Sequence, residues 1–185
     1  MTNPRIIAGA FKGKKLSTPP GLATRPTSGR ARQAAFDILL HAPWAGAAFM
    51  QKARVLDVFA GTGAFGLEAL SRGAAAATFI EISRDAQAVI KANILACKVA
   101  HITRVMGADA LAPPPGHAHE LVFFDPPYGQ NLTLRALLAL SLTGWVAPGA
   151  IIVAELGPDD ELAPAELLAE RVHGKARLLF WRAKP

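Results

Sequence analysis

The chain has 185 residues, a single cysteine and a formal net charge of +6. That length fits one domain with a core large enough to fold without disulfides or a structural metal, and Cys97 alone excludes an intrachain disulfide or a cysteine zinc cluster. No stretch approaches the roughly 18 consecutive apolar residues of a membrane span, and the basic start lacks the apolar segment of a secretory leader, so a soluble cytoplasmic protein without membrane contact, acting as a monomer, is expected.

The charge is unevenly spread. Arg5, Lys12, Lys14, Lys15, Arg25, Arg30 and Arg32 precede residue 36 with no acid among them, and Arg171, Lys175, Arg177, Arg182 and Lys184 end the chain in the same way. The body between them is acidic. Clustered cations of this kind gain from phosphate contact and counterion release, which suggests a polyanion-binding surface; a solvated, solubilising surface explains the charge alone equally well.

In chain order, RIIAGAF is a short strand-like stretch, PPGLATRPTS is a proline-rich link, and Gly29 to His41 is a basic amphipathic helix. From residue 54 apolar strands alternate with helical segments. Strands are expected at 54–59, 77–82, 102–107, 121–125 and 150–156. Helices are expected from Ala64 to Arg72, from Arg84 to about Lys98 with Ser83 as N-cap and Asp85 in the first turn, from Leu132 to Leu142 with its leucines as core, and from Pro164 to Arg171. A final hairpin turns at Gly174. Alternation of this kind implies an α/β fold with a mostly parallel sheet, edged by the antiparallel hairpin. A basic N-terminal extension, residues 1–50, packs on a core domain of residues 51–185.

After the first strand, AGTGAFG carries Gly61, Gly63 and Gly66 in the spacing G-x-G-x-x-G, with Glu81 following 20 residues after Gly61. Glycines there let the backbone approach a nucleotide, and the acid suits ribose hydroxyls. The pattern fits NAD, and it fits S-adenosylmethionine, which has a ribose but no pyrophosphate. Asp57, inside the first strand, is costly to bury without a partner and stands where methyltransferases place an acid near the methionine ammonium. Asp109 stands where such enzymes contact the adenine amino group, although a capping role explains it as well.

The stretch FFDPPYG ends the fourth strand. Asp125 there faces the cavity beyond the carboxyl ends of the strands. Pro126 and Pro127 restrict the turn and leave carbonyls free to accept, and Tyr128 offers a stacking face. Together they suit an exocyclic amino group on an unpaired base, oriented by the Asp125 carboxylate and the Pro126 carbonyl for methyl transfer. His117 and His119 have metal-like spacing but no third ligand in the sequence, and a solvated loop is expected.

With RIIAGAFKGKKL, TRPTSGRARQAAFDIL, VLDVFAGTGAFGLEALSRGA, FIEIS and FFDPPY in place, the chain resembles the class I S-adenosylmethionine-dependent methyltransferases of the D/N-PPY type. It is more closely similar to the RsmD family of bacterial 16S rRNA guanine-N2 methyltransferases. Gly29 and Gln33 stand where that family usually carries acids, and Asp37 where asparagine is common. The resemblance implies a Rossmann-like, mostly parallel seven-stranded sheet, S-adenosylmethionine as cofactor, and 16S rRNA, free or within the small ribosomal subunit, as partner. It also implies that Thr27, Arg30 and Arg32 lie near the cofactor or substrate entrance; with Lys12, Lys14, Lys15 and Arg25 they form the expected substrate-binding set. Three other readings compete. An adenine-N6 DNA methyltransferase uses the same D/N-PPY chemistry but lacks here a separate recognition domain. An NAD-dependent oxidoreductase gives FDPPY no task, and a non-catalytic RNA-binding module leaves the glycine loop unexplained.

Overall fold

The computed structural model describes residues 4–19, 29–127, 131–157, 160, 162, 166–173 and 176–184. The elements are α1 (Gly29–His41), α2 (Ala47–Lys52), β1 (Arg54–Val58), α3 (Ala64–Ser71), β2 (Ala76–Ile80), α4 (Arg84–Cys97), β3 (Thr103–Met106), β4 (His119–Phe124), α5 (Leu132–Leu142), β5 (Val146–Leu156), β6 (Leu167–His173) and β7 (Ala176–Arg182). The strands form one sheet in the order β3-β2-β1-β4-β5-β7-β6. The first five run parallel, and β7 pairs antiparallel with both β5 and β6.

Strand alternation sorts the core onto two faces. Val55, Leu121, Phe123, Val153 and Phe180 join one cluster, under α1, α3 and α4, where Phe36 and Phe65 pack on Phe123 with ring centroids 5.4 and 4.8 Å away. Leu56, Val58, Val122, Phe124, Ile152 and Trp181 join the other with Leu140 of α5 and Trp145. The helix α4 starts as its sequence asks: the Ser83 hydroxyl accepts from the Ala86 N–H, Asp85 lies in the first turn, and Lys98 ends the helix in a left-handed conformation.

Several expectations change. The helix expected from Pro164 to Arg171, a stretch rich in good helix formers, is absent from its described residues: Leu167 to His173 is the edge strand β6, paired to β7 with a register shift between Leu167 and Ala169. Ladder bonding to β7 outweighs a weak local propensity. The turning residues 174–175 lie outside the described residues. On α5, Thr133, Ala136 and Leu140 are buried, whereas Leu134, Leu138 and Leu142 are exposed, Leu142 at 88%; the sheet takes only one side of the helix. The strand β5 begins at Val146 rather than 150, and α2 was not anticipated. In RIIAGAF the pairing is a single bridge, Arg5 to Lys15.

That N-terminal stretch is nonetheless part of the core, with Ile6 and Leu16 buried. It is held by α3. Glu68, fully buried, accepts the N–H groups of Ile7 (2.8 Å) and Ala8 (3.0 Å). Ser71 accepts the Phe11 N–H through its hydroxyl (2.9 Å) and the Ala10 N–H through its carbonyl (2.8 Å). Gly9 makes this approach possible: its φ is +80°, and a Cβ there would lie 1.8 Å from the Ser71 carbonyl oxygen. Glu68 also binds Arg72 (Nε to Oε1, 2.8 Å) and faces Arg32 (Nε to Oε2, 3.7 Å), while Arg32 donates from Nη2 to the Arg5 carbonyl (2.6 Å).

Removal of the Glu68 carboxylate leaves two buried guanidinium groups without their shared counter-charge and two backbone donors without an acceptor. Glu68→Ala is therefore expected to destabilise the protein by about 3–5 kcal/mol, the range for breaking a buried ion pair. Urea unfolding measures this, and a loss below about 1 kcal/mol would show that the network contributes little.

Candidate active site

In an open parallel sheet the crevice forms beyond the carboxyl ends of strands whose connections leave in opposite directions. Here the chain moves outward from β1 to β2 and β3 and then returns to β4, so the switch point lies between β1 and β4. Their register pairs Asp57 with Phe123 and Val58 with Phe124. Asp125 follows directly, level with the start of the glycine loop. The strain at this point is visible at Phe59, a non-glycine residue with φ of +60° at the end of β1.

The three glycines do different work. Gly61 is left-handed (φ +55°), and a Cβ on it would meet only the Phe59 carbonyl at 3.9 Å, so this turn lies open to a ligand. Gly63 is left-handed too (φ +75°), but its Cβ would press on Phe79 at 3.2 Å. Gly66 is a packing glycine: a Cβ there would lie 2.4 Å from the Phe79 ring.

Two carboxylates hold the loop. Glu81 accepts from the Gly61 N–H through one oxygen (2.9 Å) and from the Ser83 N–H through the other (2.8 Å). Asp57, 2% exposed, accepts from the Gly66 N–H (2.9 Å). Burial pushes the Asp57 carboxyl up to about 8; the Gly66 bond and Arg32 oppose the shift, and the neighbouring charges of Asp125 and Glu81 add to it. Asp109, which accepts the Leu111 N–H (2.9 Å), shares with Glu81 a small cleft whose other walls are Phe59, Ile80, Ile82, Ala108 and Ala110. Asp57, Glu81, Asp109 and Asp125 thus gather at one end of the sheet. Pro126 is buried and Pro127 exposed.

The expected substrate-binding residues do not share one environment. Arg32 is 2% exposed, bound to Arg5 and Glu68, and so is withdrawn from phosphate contact. Burial holds its guanidinium below the ordinary value, and Glu68, Asp57 and Asp125 act against that fall. Lys14 is tied through Nζ to the Ala96 carbonyl at the end of α4. Lys12, Lys15 and Arg30 are exposed. Arg25, Thr27 and Tyr128 lie outside the described residues.

His119 is buried, with Nδ1 3.2 Å from the Trp145 carbonyl and Nε2 3.0 Å from the Thr78 hydroxyl. A carbonyl only accepts, so Nδ1 donates and Nε2 accepts, the neutral tautomer that burial favours. His117 is exposed. Sequence reasoning missed Glu68, the one acid inside the otherwise apolar AFGLEALS. It missed Ile82, 67% exposed at the rim of the Glu81 cleft, and Asn93, a buried amide on the apolar side of α4.

The strand order, the glycine loop after β1, the acid after β2 and Asp-Pro-Pro after β4 define a class I S-adenosylmethionine-dependent methyltransferase. The family model described as conserved hypothetical protein 95 matches residues 4–182. Ribosomal RNA small subunit methyltransferase D of Escherichia coli K12 is 38% identical over 153 residues, 82% of this chain and 73% of that protein. Its namesake in Haemophilus influenzae is 33% identical over 178 residues, 92% and 89% of the two chains. The solved structure of a candidate methyltransferase from Escherichia coli superposes with a TM-score of 0.82 at 36% identity, covering 98% of both chains. The chain belongs to this family, the RsmD family.

Since the folded Asp57 carboxyl titrates near 8 and its unfolded value is 3.8, the native state binds more protons between those limits, and this group's contribution to stability falls as pH rises through them. Asp57→Asn keeps an acceptor for Gly66 and cannot ionise. Its stability relative to wild type is expected to improve steadily from about pH 4 to about pH 8 and then level off. Urea unfolding across that range checks this; a flat difference would mean that Asp57 ionises in the fold as freely as in the open chain.

Proposed function

We propose that the protein transfers a methyl group from S-adenosylmethionine to an exocyclic amine of small-subunit ribosomal RNA, the N2 amine of a guanine in 16S rRNA. The observation that carries this reading is the placement of Asp125 and its two prolines beyond β4, beside Asp57 and the open turn at Gly61. Kinship to proteins named for small-subunit rRNA methylation supports the choice of RNA over DNA.

The site suits this cofactor better than a dinucleotide. The charges of Asp125 and Glu81 add to the cost of ionising Asp57, so a sulfonium and an ammonium relieve a repulsion that a pyrophosphate would deepen. The Gly66 N–H, close to the start of α3 where a pyrophosphate would sit, is already taken by Asp57. Glu81 would hold the ribose hydroxyls, Asp109 the adenine amino group, and the exposed Ile82 would cover a face of the ring. When bound, the cofactor supplies a methyl group on a positively charged sulfur. The chain's own contribution is alignment: the Asp125 carboxylate and Pro126 carbonyl would accept the two N–H bonds of the amine, turn its lone pair toward the methyl carbon, and receive the proton it loses as the N–C bond forms. Tyr128 would stack on the base. Lys12, Lys15 and Arg30, with Arg25, would meet RNA phosphates.

Asp125→Ala is expected to reduce methyl transfer to small subunits lacking the modification by at least about 100-fold, in the range of lost acid-base and orienting groups, with S-adenosylhomocysteine affinity changed only a few-fold. Nucleoside mass spectrometry of the product identifies the methylated position; a product other than N2-methylguanosine would overturn the guanine assignment, and full turnover by the variant would remove Asp125 from the role given to it.

Glu81→Ala is expected to weaken cofactor binding by about 1.5–3 kcal/mol through the loss of charge-assisted ribose bonds. Calorimetric titration with S-adenosylhomocysteine and, separately, NAD measures this. An unchanged dissociation constant would place the ribose elsewhere.

A further inference from the structure

We propose that Asn93 is a positioning residue that fixes the glycine loop against the basic N-terminal segment. It lies on α4, 2% exposed. Its amide is fully engaged: Oδ1 accepts from the Ser17 N–H (2.8 Å), and Nδ2 donates to the Ser17 carbonyl (3.1 Å) and to the Thr62 carbonyl (3.0 Å). A buried asparagine in a helix costs both propensity and desolvation, so these bonds, rather than packing, account for the residue type.

Both partners are backbone groups in irregular segments, which is what gives the bridge its leverage. Thr62 stands between Gly61 and Gly63, both left-handed, where the chain has the most freedom to turn its peptide planes. The plane joining Thr62 to Gly63 carries the carbonyl bound by Asn93 and, at its other end, the Gly63 N–H that donates to the Ala60 carbonyl (2.7 Å). It is clamped from both sides. Ser17 is held through both its N–H and its carbonyl, as a strand partner would hold it. One turn further along α4, Lys14 reaches the Ala96 carbonyl. The helix therefore anchors the N-terminal segment at two points and the cofactor loop at one of the same two.

On the cofactor reading given above, Asn93 sets the loop that S-adenosylmethionine must approach, without touching the ligand. Asn93→Ala is expected to weaken S-adenosylhomocysteine binding about 5- to 100-fold, the cost of leaving a buried carbonyl unpaired and its plane free to turn. Asn93→Asp keeps the acceptor for Ser17 but sets a carboxylate against two carbonyl oxygens, and is expected to be at least as impaired. Ile94→Val, a buried neighbour on the same helix, controls for general loss of stability and is expected to leave binding unchanged. A second readout needs no cofactor: amide hydrogen exchange in the full chain is expected to accelerate together at residues 14–18 and 60–63 in Asn93→Ala but not in Ile94→Val. Unchanged exchange in both segments would overturn the bridge whatever the cofactor does. Accelerated exchange with unchanged S-adenosylhomocysteine affinity would overturn its role in setting the site. Absence of S-adenosylhomocysteine binding by the wild type would instead count against the cofactor reading, and the exchange pattern would still decide whether the bridge exists.

Discussion

The buried carboxylate of Glu68 ties together three parts of the chain that have no local reason to meet. It takes two N–H groups from the segment around Ile7, the guanidinium of Arg72 on its own helix, and the charge of Arg32 on α1. An isolated carboxylate could not remain there; its cost is met only because each side of it faces a donor. The consequence is spatial. The helix α3 begins at the glycine loop, so whatever pins α3 to the N-terminal segment and to α1 also fixes the basic N-terminal segment relative to that loop.

Electrostatics sets the character of the crevice. Four acids, Asp57, Glu81, Asp109 and Asp125, lie at the carboxyl ends of β1 to β4, and Asp57 is buried deeply enough that its proton is held to about 8. Arg32 stands behind them, balanced by Glu68, and lessens the repulsion without cancelling it. Lys12, Lys15 and Arg30 are among the exposed basic residues of the N-terminal extension and α1. Negative charge within the crevice and positive charge on the flanking segment match a cationic cofactor and a polyanionic substrate, each drawn to its own side.

Much of this was legible in the residues. Apolar runs such as RVLDV and LVFF read as interior strands of a parallel sheet, and each is buried on both faces; the structure extends the second back to His119. The glycine spacing, the acid 20 residues on and the double proline mark strand ends, because left-handed turns favour glycine and a proline withholds a ladder donor. The helix α4 was expected from Arg84 to about Lys98 behind a Ser83 cap, and it runs from Arg84 to Cys97 with that cap.

What the residues did not disclose shares one cause: the outcome depended on partners far away in sequence. The segment before Gly174 has helical composition, yet the neighbouring β7 offers an unpaired edge and draws it into a ladder. The leucines of α5 are apolar on every side, and only the shape of the sheet determines which of them are covered. Arg32 carries the same charge as Arg30, but two residues along a helix turn it from solvent to the interior, where Glu68 waits. Sequence by itself determined the strand-helix alternation from β1 to β5, the glycine loop and the acids at the strand ends, because these follow from local sterics and the cost of burying charge. Tertiary structure alone decided which cations stay exposed and which are locked in place, because that depends on long-range contacts such as Ile7 to Glu68 and Ser17 to Asn93, which no local pattern encodes.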